Sequence, residues 1–249
     1  MISRILVVDD EENIRFTFDS FLSDEGYTVT TASSLQKGKK LLQEQEFDLI
    51  FLDILLGRES GLEILREVRE KGLQTPVVMI TGAPEVETAA EAVRYGAFDY
   101  IPKPIMQENL LRVARLALDH KKLLVENETF KMRLEALFRC AREGIFITDN
   151  ELKVAEVNEA AKEIFGCDDS IVGKRLDELG SDGSYATLAK FSDMIKARFE
   201  GEIYRLEGVS PTGDNRILSL SASPLTTHEG VDYGYVLIIR DEGEVSAVA

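Results

Sequence analysis

The stretch FDLIFLD, residues 47–53, is an almost continuous apolar run that ends on the carboxylate of Asp53. Such a run is typical of a strand that is buried on both faces of a parallel sheet. The segment LGRESG, residues 56–61, follows it and predicts a turn. Open α/β sheets bind their ligands at the carboxyl ends of the strands, so Asp53 is a candidate functional residue. A single aspartate is equally consistent with capping the next helix, and the other groups at that sheet edge decide between the two.

The chain around this stretch repeats one pattern, a short apolar run followed by an amphipathic helix. The predicted strands are residues 5–8, 27–31, 47–53, 76–80 and 98–101, and the predicted helices are residues 13–25, 34–45, 61–71, 85–95 and a fifth that starts near 106. Five strands that alternate with five helices predict a doubly wound, five-stranded parallel sheet of the α/β class.

Four of the five strand ends bring polar side chains to one edge of this sheet. Asp9 and Asp10 follow the first strand, Asp53 ends the third, and Thr81 and Lys103 follow the fourth and the fifth. Crowded carboxylates repel one another, and a hard divalent cation with oxygen ligands relieves that repulsion. A lysine and a hydroxyl opposite them suit a phosphoryl group. The arrangement predicts phosphoryl transfer to a carboxylate, with Asp53 as the nucleophile.

Residues 1–120 resemble the receiver domain of the two-component response-regulator family. The resemblance is carried by Asp9-Asp10, Asp53 with Gly61, Thr81-Gly82 and the segment FDYIPKP at 98–104. It implies that a sensor histidine kinase phosphorylates Asp53. It also implies that the chain is not an enzyme toward other substrates, because the domain would catalyse only its own phosphoryl transfer and its own dephosphorylation.

The resemblance further implies a magnesium site. Asp10, Asp53 and the backbone carbonyl of Leu55 would hold Mg²⁺, and Asp9 would contribute mostly through water. At residues 56–57, Leu-Gly replaces the Met-Pro pair that is common in the family. This departure removes no chemical group, but we expect it to loosen the loop after Asp53.

Three further residues have implied roles in switching. Lys103 would pair with the phosphoryl oxygens, and Thr81 would move to donate a hydrogen bond to them. Tyr100 matches the aromatic residue of the family that changes rotamer. The peptide bond between Lys103 and Pro104 is expected to be cis, a form found almost only before proline.

Two other functions compete with this one. A dinucleotide-binding domain is excluded, because no glycine-rich fingerprint follows the first strand. A Mg²⁺-dependent phosphatase that uses Asp53 as a covalent nucleophile is the alternative from the enzyme class. Leu55 argues against it, because that class usually has an aspartate at the second position after the nucleophile.

A helical pattern without glycine or proline runs from about residue 106 to Gly144. Two sets of residues recur in it every seven positions: an a set of Val113, His120, Asn127 and Leu134, and a d set of Leu116, Leu123, Phe130 and Leu137. The spacing predicts a coiled-coil seam and a parallel homodimer, in which a buried Asn127 fixes the register. The alternative, which His120 keeps open, is an amphipathic helix that packs on its own domains. We assign residues 121–138 to this linker.

Residues 139–243 differ in composition and pattern from the first 120 residues, with shorter apolar runs and more glycine and serine. The pattern predicts a hairpin of two strands at residues 144–149 and 153–158, followed by helices at 158–165 and 185–199. Three antiparallel strands at 202–209, 216–223 and 233–241 come next, before a tail at 244–249. This order resembles the α+β PAS sensory domain. The most specific residues are EGIFITD at 143–149, VNEAA at 157–161, Phe165-Gly166 and Val172-Gly173.

The sequence identifies no ligand for this PAS domain. Flavin photochemistry of the light-oxygen-voltage type is not expected. The reactive cysteine of that PAS subgroup would fall near Leu176, and Cys167 lies earlier. Haem is not expected either, because His228 lies in a predicted turn and His120 in the linker. A small organic ligand and a ligand-free role in dimerisation and signal relay both stay open.

The composition limits the partners and the compartment. A net charge of −16 argues against a general nucleic-acid binder, because no surplus of lysine and arginine is available for phosphates. No apolar run approaches the length of a membrane span, and the N-terminus lacks the pattern of a signal peptide. Cys140 and Cys167 lack metal-ligand spacing and indicate thiols in a reducing compartment. We expect a cytoplasmic protein that contacts neither membrane nor nucleic acid directly.

These patterns together predict a response regulator in which phosphorylation of Asp53 is relayed through a helical linker to a PAS domain. The sequence shows no helix-turn-helix with basic recognition residues, P-loop, kinase signature or cyclase motif. The alternative is the N-terminal regulatory part of a longer receiver–PAS protein, whose output would be a histidine kinase, a cyclase or a transcription activator.

Overall fold

The computed structural model describes residues 2–82, 86–179, 188, 190, 192–193, 195, 204–209, 214–227 and 229–244. The chain divides into two compact units, Met1–Phe130 and Lys131–Ala249. Each unit has its own sheet and its own core.

The first unit alternates strands and helices. Its elements are β1 Arg4–Val8, α1 Glu12–Asp24, β2 Thr28–Ala32, α2 Leu35–Glu44, β3 Leu49–Asp53, β4 Leu55–Leu56, β5 Glu59–Ser60, α3 Leu62–Glu70, β6 Val77–Thr81, α4 Val86–Arg94, β7 Asp99–Pro102 and α5 Gln107–Cys140. Five strands pair in parallel in the order β2-β1-β3-β6-β7. The predicted doubly wound α/β sheet is therefore confirmed.

The central strands are apolar because helices cover both faces of the sheet. Both β3 and β6 are buried at every position. Within β3, Leu49 and Phe51 belong to the core under α1 and α5, whereas Ile50 and Leu52 belong to the core under α2 and α3. Alternate residues of a strand point to opposite faces, which is why an unbroken apolar run is needed here. The run ends at the sheet edge, where Asp53 replaces the apolar residues.

The segment after β3 forms a small hairpin, β4 with β5, where the sequence predicts only a turn. Gly57 lies between the two strands with φ +65°, in the left-handed region that favours glycine. Gly61 follows the hairpin with φ −59°, which any residue adopts. A Cβ on Gly61, however, would lie 2.0 Å from the carbonyl oxygen of Asp53. Gly61 is therefore required by its close approach to Asp53.

Helix α5 is 34 residues long and runs from the first unit into the second. Its first turns pack on the parallel sheet through four apolar residues, Leu110, Val113, Ala114 and Ala117. The first a residue of the predicted seam, Val113, is thus buried inside its own unit, and the seam starts no earlier than Leu116. The four d residues are exposed: Leu116, Leu123, Phe130 and Leu137. Among the helices of the described residues, none is long and apolar enough to cross a membrane.

The second unit carries an antiparallel sheet in the order β10-β11-β12-β8-β9. Its elements are β8 Gly144–Thr148, β9 Val154–Val157, α6 Glu159–Phe165, a short 3-10 helix Asp169–Ile171, α7 Leu176–Leu179, β10 Tyr204–Val209, β11 Asn215–Thr226 and β12 Asp232–Glu244. Most of the predicted helix at 185–199, the strand start at 202–203 and the predicted turns at 210–213 and His228 lie outside the described residues.

One face of this sheet packs on the helices and forms the core of the second unit. Along β8 the buried residues alternate with half-buried ones, as expected for an antiparallel sheet with one face on the core and the other exposed to solvent. Phe146 on this strand meets Phe165 of α6 edge to face, with ring centroids 5.6 Å apart. The predicted α+β class is confirmed. Strands β11 and β12 are longer than predicted, because their pairing continues past the end of the apolar alternation, to Thr226 and Asp232.

Candidate functional site

Three carboxylates meet at the carboxyl end of the parallel sheet. Asp9 and Asp10 follow β1 and Asp53 ends β3, and these two strands are neighbours. Oxygen atoms of the three carboxylates lie within 4.8 Å of one another. Asp9 and Asp53 are buried, whereas Asp10 is exposed. The fold thus brings together the three side chains that the sequence assigns to a metal.

Lys103 faces these carboxylates from the residue after β7. Its Nζ lies 2.7 Å from Asp53 Oδ2, 3.0 Å from Asp9 Oδ2 and 2.6 Å from Glu11 Oε1. Burial alone lowers the pKa of Lys103, but its hydrogen bonds to Asp53 and Glu11 and its ion pair with Asp9 outweigh burial and raise that pKa. The ammonium group therefore stays charged at physiological pH and offsets one negative charge of the cluster.

Asp9 shows that negative charge in this cluster is not fully balanced. Its Oδ1 accepts a hydrogen bond of 2.8 Å from the backbone N–H of Glu11. Its Oδ2 is buried without a hydrogen bond, because Lys103 Nζ, 3.0 Å away, is not aligned to donate one. Burial raises the pKa of Asp9 to about 6, and the charge of Asp53 adds to the rise. A hard divalent cation would supply the missing positive partner, so these residues fit Mg²⁺.

The hairpin after Asp53 holds two of the carboxylates through backbone N–H groups. The N–H of Leu55 donates to Asp53 Oδ1 at 3.1 Å, and the N–H of Gly57 donates to Asp10 Oδ2 at 3.1 Å. Gly57 stands where proline is common in the family, and proline has no N–H to donate. The Leu-Gly departure therefore adds a hydrogen bond to Asp10, which offsets the expected loosening of the loop. The carbonyl of Leu55 as a metal ligand stays a prediction.

Thr81 lies at the site, whereas Tyr100 lies on the strand that leads to it. Thr81 is buried at the end of β6, and its carbonyl oxygen accepts a hydrogen bond of 2.7 Å from the backbone N–H of Lys103. Tyr100 on β7 is half exposed. The bond between Lys103 and Pro104 is cis, as expected. The parts of Thr81 and Tyr100 in switching stay predictions.

Two residues at this site have only a weak signal in the sequence. Glu11 belongs to the acidic run after β1, yet its carboxylate takes one of the hydrogen bonds of Lys103. Gly57 is marked only by the absence of the family's proline. Both contacts join residues that are far apart in the chain, and local patterns carry no information on such pairs.

The comparison with protein families follows the same division of the chain. Residues 5–115 match the response regulator receiver domain, and residues 142–244 match a PAS domain. This chain is a receiver domain followed by a PAS domain. The receiver–PAS chain keeps the carboxylates, Lys103 and the hairpin within the receiver match. Residues 116–141, which include most of the exposed part of α5, lie between the two matches.

Relatives of the receiver–PAS chain include bacterial regulators. The alginate biosynthesis transcriptional regulatory protein AlgB of Pseudomonas aeruginosa is 39% identical over 170 residues, which cover 68% of this chain and 36% of AlgB. The transcriptional regulatory protein DltR of Streptococcus agalactiae is 36% identical over 125 residues, 50% of this chain and 56% of DltR. A crystal structure of NtrX from Brucella abortus is similar, with a TM-score of 0.50 and 40% identity over 52% of this chain and 30% of NtrX. The chain spans about a third of the length of the AlgB proteins it matches.

The described part of the PAS domain has few reactive groups. The hydroxyls Thr148 Oγ1 and Ser192 Oγ are buried without a hydrogen-bond partner. Cys167 is half-buried, and burial raises the pKa of its thiol. A thiol with a raised pKa is a poor nucleophile at neutral pH, so the geometry gives no support to a reactive cysteine here.

Proposed function

We propose that this receiver–PAS protein is a two-component response regulator that a sensor histidine kinase phosphorylates on Asp53 in a Mg²⁺-dependent reaction. The observation that carries the proposal is the cluster of Asp9, Asp10 and Asp53 with Lys103 at one sheet edge. AlgB and DltR, to which the chain is similar, are named transcriptional regulatory proteins, which agrees with a role in signalling.

The reaction transfers one phosphoryl group to a carboxylate oxygen of Asp53. That oxygen attacks phosphorus in line with the phosphohistidine nitrogen; a P–O bond forms, the P–N bond breaks, and the nitrogen leaves with the electron pair. Bound Mg²⁺ supplies charge neutralisation for the phosphoryl oxygens. Asp9, Asp10, Asp53 and the carbonyl of Leu55 would hold it. Lys103 remains charged and lies 2.7 Å from Asp53, where it stabilises the same oxygens. We propose no turnover of other substrates.

The phosphorylated state would differ from the free state at the ends of β6 and β7. A dianion on Asp53 recruits Lys103 away from Glu11 and draws in the hydroxyl of Thr81. Tyr100 then takes the space that Thr81 leaves. Because the backbone N–H of Lys103 is hydrogen-bonded to the carbonyl of Thr81, the two strand ends move together. Helix α5 follows β7 and carries the change to the PAS domain.

We propose that α5 also joins two copies of the chain in a parallel homodimer. Its exposed d residues, Leu123, Phe130 and Leu137, form an apolar stripe, and the a residue Leu134 is exposed as well. In this register Glu126 is a g residue and Lys131 the e residue of the partner, so the two carry opposite charges across the seam. With a net charge of −16, the chain is better suited to protein partners than to nucleic acid.

Mass spectrometry of the intact protein tests this function. The wild type and Asp53→Asn are incubated with Mg²⁺ and acetyl phosphate, and with Mg²⁺ replaced by EDTA. We expect one phosphoryl adduct on the wild type with Mg²⁺ and none in the other samples. Size-exclusion chromatography of the same samples reports whether phosphorylation changes the oligomeric state.

The outcomes separate the parts of the proposal. An adduct that also forms on Asp53→Asn would mean that another residue is the acceptor. An adduct that forms equally well in EDTA would remove the metal from the reaction. A single monomer peak at every concentration would refute the homodimer while leaving the phosphorylation intact.

A further inference from the structure

The side chain of Asn158 joins the last turn of α5 to the PAS fold. Its Nδ2 donates to the carbonyl of Phe138, in α5, at 3.1 Å and to the carbonyl of Glu143 at 2.9 Å. Its Oδ1 accepts from the backbone N–H of Ile145, on β8, at 2.8 Å and from that of Ala161, in α6, at 2.9 Å. Both donors and both acceptor positions of the amide are thus used, and the backbone partners fix which atom is oxygen.

One side chain therefore caps two helices. Through Oδ1, Asn158 is the N-cap of α6, because it satisfies an N–H of the first turn. Through Nδ2 it bonds the carbonyl of Phe138, one of the last carbonyls of α5, which lack partners within the helix. Asn158 is 1% exposed, so no water replaces these partners if one of them moves away. A displacement of the last turn of α5 therefore leaves a buried amide unsatisfied unless β8 and α6 move with it.

The surrounding contacts leave little freedom at this junction. The backbone N–H of Asn158 donates to the carbonyl of Ile145 at 3.1 Å, so the residue is tied to β8 twice. A Cβ on Gly144 would lie 3.1 Å from Ala161 Cα, which shows how closely β8 approaches α6. Glu143, whose carbonyl Asn158 holds, is also paired through its side chain with Arg240 on β12. The junction thus connects α5 with three elements of the PAS domain.

We propose that Asn158 is the positioning residue through which movements of α5 reach the PAS sheet. The inference rests on the proposed function, since it concerns how the phosphorylation signal passes from the receiver into the second domain. Asn158 touches no reacting atom. It acts by holding the end of α5, the start of β8 and the start of α6 at fixed distances from one another.

Asn158→Ser tests the inference in the full chain. Serine is as good an N-cap as asparagine, so α6 keeps its cap, whereas its short hydroxyl does not span to the carbonyls of Phe138 and Glu143. Asn150→Ser is the matched control, because Asn150 is an exposed PAS residue whose Nδ2 also donates to a backbone carbonyl, that of Asp232, at 2.8 Å. Asn158→Asp is a second variant with the same shape and the same cap, for use if the serine variant does not fold.

Hydrogen–deuterium exchange is compared with and without Mg²⁺ and acetyl phosphate, and intact mass confirms the phosphoryl adduct in each protein. In the wild type and in Asn150→Ser we expect phosphorylation to change the exchange of receiver peptides over 77–105 and of PAS peptides over 141–165. In Asn158→Ser we expect the receiver change to persist and the PAS change to shrink by roughly fivefold or more, as for the loss of a typical coupling energy.

Each other outcome has a distinct meaning. Equal PAS responses in the wild type and in Asn158→Ser, at equal phosphorylation, would overturn the role of Asn158 and leave the phosphorylation intact. A phosphorylated wild type without any PAS response would overturn both the relay and the inference. A wild type that forms no adduct would refute the proposed function itself, and the inference with it.

Discussion

The position of Asp53 depends on a neighbouring residue without a side chain, Gly61. The carbonyl oxygen of Asp53 lies where a side chain at position 61 would begin, 2.0 Å from an ideal Cβ. The obstacle is backbone, which cannot rotate away as a flexible side chain does. Even a methyl group at this position must therefore displace either the hairpin or the end of β3, and with it the carboxylate of Asp53.

We expect Gly61→Ala to lower the free energy of unfolding by about 2–3 kcal/mol, as overpacking of a rigid site does. Gly72→Ala is the control, because Gly72 has φ +68° but nothing within 4 Å of its Cβ position. There only the backbone conformation is strained, at a cost of about 1 kcal/mol. Urea unfolding followed by circular dichroism measures both. Equal losses in the two variants would show that the hairpin adapts to the methyl group.

Asp9 makes the stability of the metal-free protein depend on pH. Its pKa of about 6 in the folded protein is above its ordinary value of 3.8, so the folded state binds this proton more tightly than the unfolded state does. The stability contributed by the proton is complete below pH 4 and is lost as the pH rises to 6. At pH 7 the ionised carboxylate then costs on the order of 2–3 kcal/mol.

Asp9→Asn should therefore raise the Tm in EDTA at pH 7 and leave it nearly unchanged at pH 3.5. Added Mg²⁺ should raise the Tm of the wild type more than that of the variant, because the ion offsets the same charge. Thermal unfolding at the two pH values, with and without Mg²⁺, measures these differences. A variant that melts lower than the wild type in EDTA at pH 7 would contradict the account of Asp9.

The sequence located the main residues of the site because each one ends a strand. Strand ends follow from periodicity, and the parallel sheet then gathers Asp9, Asp10, Asp53 and Lys103 at one edge. The contacts of Glu11 and Gly57 were not predictable in this way. Gly57 reaches Asp10 across 47 residues of chain, and its bond depends on the detailed path of the hairpin.

At the level of elements, hydrogen bonds also hold α5 to the receiver sheet at Lys121, after the last α5 residue that is buried in the receiver core. Lys121 Nζ donates to the carbonyl of Phe47 and to Asp48 Oδ1, both at 2.9 Å. Asp48 Oδ2 in turn accepts a hydrogen bond of 2.9 Å from the backbone N–H of Arg4. The start of β3, the start of β1 and the fourth turn of α5 are thus joined by one carboxylate.

Asp48 should hold α5 in place only while it is ionised. Burial alone raises the pKa of Asp48, but its hydrogen bonds with Arg4 and Lys121 outweigh burial and lower that pKa. Because the folded pKa is below the ordinary value, this stabilisation is present above pH 4 and is lost as the pH falls below it.

We expect Asp48→Asn to destabilise the protein by about 1 kcal/mol at pH 7 and by less at pH 2.5, since protonation of the wild-type carboxylate below pH 4 progressively removes the ionic contact. Thermal unfolding at the two pH values measures this. Glu44→Gln serves as the control, because the pair of Glu44 with Lys40 is exposed, and such pairs contribute little. A loss that persists unchanged at pH 2.5 would show that the charge of Asp48 is not the cause.

The seven-residue pattern in α5 predicted a helix of the right extent but assigned Val113 to the wrong partner. Apolar residues at helical spacing indicate that one face is covered, and they do not indicate what covers it. The first turns are covered by the parallel sheet, and among the a and d residues Val113 is buried, whereas those from Leu116 onward are exposed. The β4–β5 hairpin escaped prediction because strands of two residues have no periodicity to detect.

For the molecule as a whole, the order of the main strands was predictable, whereas the shortest elements and the connections between distant elements were not. The division of the chain, the two sheets and their pairing directions follow from local periodicity, since an unbroken apolar run and an alternating one require different surroundings. The double capping by Asn158 brings together α5, β8 and α6, which local patterns treat as separate.

Because α5 is one continuous helix, the number of residues in it sets the rotation about the helix axis, or helical phase, between the receiver and the PAS domain. Each residue added to a helix turns everything after it by about 100°, so duplication of residues 122–128 changes the phase by only about 20°, whereas insertion of two alanines after Glu128 changes it by about 200°. We expect both insertions to permit phosphorylation of Asp53. Only the duplication should preserve the response of the PAS domain, as measured by hydrogen–deuterium exchange; equal responses in both would show that the angle carries no information.

If helical phase matters in this way, the linker transmits rotation and does more than hold the two domains together. Its length would then be free to change in steps of whole turns, whereas a change in its helical phase would alter the signal that reaches the PAS domain. Lengths that are out of step would then disconnect input from output without damaging either domain. The receiver and the PAS domain would remain folded and active, while the signal would no longer pass from one to the other.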